Sequence, residues 1–209
     1  MLTLGNDIQN SDNRAGTTEA GTPQDNDGRY QKVCGVVQDA AVWAIEQCRA
    51  ITPRVTVPMI YGNHDPLTTF HLGGYLKAWF RNCKGVEIDN EPRQRKYYQH
   101  GKVMLMLTHK AKMDECLGIM AVERPAMWAT TTCREVHMGH IHTRKGMSFD
   151  VNEIKGVTVR TLPSLRPPCA WSADLGYVGN LRSAEAYIFN DKEGLIGTAV
   201  YTVQRKVAA

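Results

Sequence analysis

The chain has 209 residues, a hydrophobic share of 43% and a net charge of +4 with both signs interspersed. That length allows one domain with a sizeable core, and mild basicity suits an anionic substrate without being a nucleic-acid signature by itself. No apolar run approaches the roughly 20 residues of a membrane span, and the N-terminus lacks the basic-then-apolar plan of a secretion signal, so the expectation is a soluble protein.

The opening stretch, MLTLGNDIQNSDN, reads as a buried strand that runs straight into an acidic loop. Residues 14–28 are turn formers and small polar groups, a loop long enough to hint at function or mobility. A helix is predicted over 29–50, where Tyr30, Val33, Val37, Ala40, Ala41, Ala44, Ile45 and Cys48 share one face. VTVPMI is a strand ending at Tyr61, and HLGGYLKAWF a second helix despite its two glycines. Strands follow at 86–88, 96–99 and 102–108, then a mostly helical stretch at 111–131 and a strand at 135–139. From 146 onward the chain is β-rich, with GVTVRTL, AEAYIF and GTAVYTV. Strand-helix-strand-helix followed by strands suits an α/β fold of two packed sheets flanked by helices, read as a single domain over 1–209. The motifs fall in 1–145, and 146–209 is the β-rich C-terminal part.

Six cysteines stand at 34, 48, 83, 116, 133 and 169, none in a CxxC pair. They read as small buried residues in a reducing cytosol rather than a zinc ribbon.

Four strand ends carry the chemistry: GND at 5–7, GNHD at 62–65, THK at 108–110 and GHIH at 139–142. Each offers Asp, Asn or His, a mixed oxygen and imidazole set that suits manganese, iron or zinc better than calcium. His140 and His142 are two apart, so on an extended segment both rings point the same way. Each motif alone is ordinary turn chemistry; their order and joint presence are not.

The joint pattern resembles the calcineurin-like metallophosphoesterase superfamily, on Gly62-Asn63-His64-Asp65, Gly139-His140-Ile141-His142 and the intervening His109. The later stretch, with Trp171 and GYVGN at 176–180, is weakly similar to phage-borne members, which implies a bacterial cytoplasmic setting. The family includes exonuclease subunits of DNA-repair complexes, where the second motif reads Gly-x-Asp, matching Asp7. The resemblance implies a two-sheet αββα sandwich and a pair of divalent ions, Mn, Fe or Zn. Asp7 would bridge them, Asn63, His109 and His140 would complete one site, and His142 would belong to the other. His64 would be catalytic, steadying the phosphate or protonating the leaving oxygen, with Asp65 orienting its ring. The physics agrees: two cations about 3.5–4 Å apart clamp a phosphate for in-line displacement, and an imidazole delivers a proton near neutral pH.

The family's first motif, Asp-x-His, does not occur in the chain. The expectation is therefore a fold lacking its first, central strand, with one metal site short of two ligands and a single ion bound. Three readings stay open: an N-terminally truncated chain or late start, a degenerate relative with little activity, and an upstream polypeptide supplying the strand. The expected function is metal-dependent hydrolysis of phosphate esters, with phosphodiesters of DNA or RNA the preferred class. A non-catalytic metal- or nucleic-acid-binding module of the same fold is the alternative, and a phosphoprotein substrate a third option.

Lesser candidates have bland counterparts. Lys110, Lys112, Arg124, Arg144 and Lys145 could touch phosphate oxygens or be solvated charge. Arg93, Arg95 and Lys96 beside Tyr97 and Tyr98 could stack nucleic acid or be a turn entering a half-buried strand. Asp12 and Asn13 could extend the metal shell or serve turn chemistry. Trp171 and Asp174 could line a substrate groove or pack.

Overall fold

The computed structural model describes residues 1–26, 28–140, 151–165 and 182–203. The chain is mixed α/β and divides into two compact units, Met1–Lys96 and Tyr97–Ala209.

The first unit holds a parallel sheet in the order β1-β2-β3, from β1 (Leu4–Gly5), β2 (Val55–Ile60) and β3 (Val86–Asp89), with α1 (Tyr30–Ile51) and α2 (Pro66–Trp79) as the crossovers. Val55, Val57 and Met59 alternate along β2 toward one apolar cluster. Ala41, Val42 and Ile45 of α1, Leu72 and Leu76 of α2, and Ile88 of β3 complete it. The opening strand is shorter than expected, and the reason is in its neighbour. Leu2 N donates to Thr56 O and Asn6 N to Ile60 O, one on each side of β1. Between them Pro58 has no N–H to give, so the ladder is interrupted there.

Helix α2 begins earlier than the expected HLGGYLKAWF, because Pro66 occupies its first turn, where a missing N–H costs nothing. Of its two glycines, Gly73 has a packing role: a Cβ there would collide with the Asn90 side chain. Asn90 in turn accepts the Tyr61 hydroxyl at 2.8 Å on Oδ1 and donates to Phe70 O. Asp89 and the Glu91 carbonyl hold Lys96, whose ammonium lies 2.6 Å from Asp89 Oδ1.

The second unit is built on a sheet ordered β4-β5-β6-β8-β7. Its strands are β4 (Arg95–His100), which starts within the last two residues of the first unit, β5 (Val103–Thr108), β6 (Cys133–Met138), β7 (Val151–Ile154) and β8 (Val157–Thr161). β5, β6 and β8 run parallel, and β7 is antiparallel to β8. Met104, Met106, Val136, Met138, Val157 and Val159 form a core with Cys116 and Met120 of α3 (Cys116–Glu123). The stretch expected to be mostly helical is split: α3 stops at Arg124, and Pro125 opens α4 (Pro125–Thr130). On the opposite face of β6, Glu135 and His137 are buried; Arg160 Nε of β8 lies 2.7 Å from Glu135 Oε2. A hairpin of β9 (Ser183–Asn190) and β10 (Gly194–Thr202) lays Tyr187 against the His137 ring. Among the described residues, no helix is long and apolar enough to cross a membrane. The five described cysteines are free.

Candidate functional site

Parallel strands place their C-terminal ends along one edge of the sheet, where loop side chains can gather. In the first unit the loops after β1 and β2 do so. Gly5, Asn6, Asp7 and Asn10 all take positive φ, a conformation that Gly adopts freely and Asn and Asp tolerate. This curl returns the Asp7 carboxylate to the GNHD turn, where His64 N donates to Asp7 Oδ1 at 2.9 Å. Gly62 makes the approach possible, since a Cβ there would overlap Asp7 Oδ1. Asn63 is exposed between Gly62 and His64.

The expected contact of Asp65 with the His64 ring is replaced by another. Asp65 is fully buried; its carboxylate accepts Gln9 N at 2.6 Å and Thr69 Oγ1 at 3.2 Å. Asn10 is the partner of the ring instead, with Oδ1 3.1 Å from His64 Nδ1. Asp65 therefore ties the loop after β1 to the first turn of α2. Burial pushes its carboxyl up to about 6, the Gln9 N–H opposes that, and the charge of Asp7 adds to it.

The long polar loop after β1 is closed on itself by its own side chains. Asn13 Oδ1 accepts Ala15 N at 3.0 Å and Thr17 N at 3.3 Å, and Thr17 bridges to Pro23. Glu19 N donates to His64 O at 3.2 Å, which pins the loop to the GNHD turn. Asp12 reaches the N-terminus of α2 and accepts Thr68 N at 2.8 Å and Leu67 N at 3.3 Å, so the carboxylate meets the positive end of the helix dipole. Both Asp12 and Asn13 thus do turn and capping work.

In the second unit, His109 and His140 follow the adjacent parallel strands β5 and β6, paired through Thr108 and Met138. His109 is buried and His140 half-buried. His109 Nε2 lies 3.0 Å from His140 Nδ1, and the rings meet edge-on at 80°. His140 takes a positive φ of 67°, which turns it back from the end of β6. Within the second unit, His109 and His140 are two imidazole donors of the kind that hold a metal ion. His142, Arg144, Lys145, Trp171, Asp174 and GYVGN lie outside the described residues.

The basic run at the start of β4 does not form a row of available cations. Arg93 pairs with Glu91 at 2.9 Å and Lys96 is buried against Asp89, while the Tyr97 hydroxyl donates to Glu123 at 2.8 Å. Lys112 pairs with Glu115, and Arg124 lies over the Tyr97 ring. Three residues escaped the sequence reading: Gln9, Asn10 and Asn26. Asn10 stands three places after Asp7, a spacing that could have drawn notice; a glutamine and an asparagine in polar loops carry no such mark. No family model, curated protein or solved structure matches the chain.

Proposed function

We propose that the chain is a divalent-metal-dependent phosphoesterase of the metallophosphoesterase type, acting on phosphodiesters, with nucleic acid the preferred substrate class. The αββα sandwich belongs to the same reading. The observation that carries it is the imidazole pair, His109 and His140, brought to 3.0 Å at the ends of neighbouring strands. With metal–nitrogen bonds of about 2.0–2.1 Å, adjacent donors around an octahedral ion stand about 3 Å apart, so the spacing fits two ligands of one cation.

Asp7, Asn63, His109 and His140 would hold that ion, and His142 would serve a second; manganese, iron and zinc suit the donors. A bound cation supplies Lewis-acid polarisation of a phosphoryl oxygen and a lowered pKa for water. The carboxylate of Asp7 offsets the positive charge while His64 N keeps it in place. His64, half-buried, next to Asn63 in sequence and held through Nδ1, hands a proton to the leaving oxygen. The mild positive charge of the chain favours approach of an anionic ester.

The test is hydrolysis of bis-p-nitrophenyl phosphate with manganese, comparing the chain with His64→Ala. Turnover that falls roughly 10²–10⁴-fold in the variant is the expected result for loss of a general acid. Metal binding without turnover in the parent chain would replace the reading with a non-catalytic metal-binding module.

A further inference from the structure

We infer that Asn26, acting through Asn10, sets which nitrogen of His64 carries the proton, making both asparagines positioning residues for that ring. The inference rests on the reading of His64 as the proton donor for its functional meaning, but its structural content stands in the first unit alone.

A neutral imidazole has one N–H and one lone pair, and the partner of one nitrogen decides the state of the other. His64 Nδ1 faces Asn10 Oδ1 at 3.1 Å. An amide oxygen only accepts, so Nδ1 must hold the hydrogen and Nε2 keeps the lone pair. Had the Asn10 amide been turned over, its NH₂ would face Nδ1 and the opposite tautomer would be selected. The orientation of one amide is thus a switch between two states of the ring.

What holds that amide is Asn26. Asn10 Nδ2 donates to Asn26 Oδ1 at 3.3 Å, and Asn26 Nδ2 donates to the buried Ser11 Oγ at 3.1 Å. Asn26 is fitted closely, because Gly16 presses toward its amide nitrogen and a Cβ at Gly16 would stand 3.2 Å from it. Gln24 N donates to Gly16 O at 2.8 Å, which keeps the two arms of the loop together. A side chain 38 positions from His64 in sequence therefore reads out at its ring. The loop after β1 gains a role: its far arm supplies the amide that leaves the lone pair of the neutral ring on Nε2.

The experiment is a long-range ¹H–¹⁵N correlation spectrum of the ¹⁵N-histidine-labelled, metal-free chain at a pH where His64 is neutral, with His64→Gln to assign its signals. The expected parent spectrum shows Nδ1 protonated and Nε2 bare, with more than about nine-tenths in one tautomer. Asn26→Ala should drop the Nδ1–H form to less than half, since free imidazole prefers the other tautomer. Asn26→Asp should restore it, because its carboxylate still accepts from Asn10 Nδ2. Asn10→Leu should drop it likewise, and Asn26→Leu, close in volume, decides the role of Asn26 if Asn26→Ala does not fold. A parent with the proton on Nε2, or a tautomer ratio that Asn26→Ala and Asn10→Leu leave unchanged, overturns the inference. The readout involves no turnover, so a tautomer that shifts in a chain that does not hydrolyse ester would sink the proposed activity and leave this assignment intact.

Discussion

The carboxylates at the strand ends of the first unit are held by neutral dipoles. Asp7 takes a backbone N–H from His64, and Asp65 takes one from Gln9 and a hydroxyl from Thr69. At the corresponding strand ends of the second unit two imidazoles, His109 and His140, meet at 3.0 Å. The first arrangement is shaped by covalent geometry and hydrogen bonds that no ion has to supply. The second has one hydrogen between two basic nitrogens, whereas a divalent ion would use both lone pairs at once. Loop chemistry therefore positions the Asp7 and Asp65 carboxylates, and the imidazole pair is where a bound cation would take the place of a shared hydrogen.

The sharpest way to break the comparison is to remove an imidazole. His140→Ala should weaken manganese binding, measured by titration calorimetry, by more than the 10–100-fold typical of losing an outer-shell partner. Asp65→Asn should weaken it by no more than about 10–100-fold, the range of such an outer group. Equal losses in both variants would mean the two regions are not different in kind.

Next comes stability. Asp65→Ala strands the Gln9 N–H and the Thr69 hydroxyl in a fully buried site, which should cost about 3 kcal/mol in urea unfolding. A cost below about 1 kcal/mol would show that the loop re-pairs with water.

A smaller effect is expected at Glu135, where pH supplies the contrast. Burial acts to raise its carboxyl, but the His137 and Arg160 hydrogen bonds outweigh burial and hold it below the ordinary value of 4.5. The folded chain therefore favours the carboxylate. Its stabilisation is present above pH 4.5 and is lost as pH falls through the lowered value. Glu135→Gln should be less stable by roughly 1.5–3 kcal/mol at pH 7, and the gap should close as the solution is acidified below that point. Asp65 has the opposite sign: with its carboxyl raised to about 6, its favourable contribution belongs to low pH and fades as pH rises from 3.8 through 6.

The smallest effect separates the two cores. Met104, Met106, Met120 and Met138 pack the second beside its valines, where the first has Met59 alone among its buried valine, leucine and isoleucine side chains. Met106→Leu should change the melting free energy by less than about 1.5 kcal/mol, because a flexible, unbranched side chain leaves neighbours able to adjust.

Much of this arrangement was legible in the sequence where a pattern is local. The apolar runs VTVPMI and VMLMLT placed β2 and β5, and the polar clusters GNHD and THK at their ends marked where side chains collect. What was not legible depends on partners distant in the chain. Pro58 cuts short a strand 54 residues away only because its missing N–H faces that strand. The resemblance implied Asp65 as the partner of His64, but its carboxylate meets Gln9 and Thr69, and the ring meets Asn10 across the loop instead. Asp12 caps a helix that starts at Pro66, and no spacing rule links the two. Pro125 was visible, and giving it more weight would have divided α3 from α4.

Gly62 leaves room beside the Asp7 carboxylate for a hydrogen and nothing larger, while Asn63 next to it is open to solvent. Position 62 thus acts as a caliper set by the backbone. Sequence drift at the neighbouring position can alter which atoms a ligand meets, but a single methyl at 62 moves the carboxylate itself. Tolerance to change in this turn is therefore decided residue by residue, and the smallest side chain in it is the one with the least latitude.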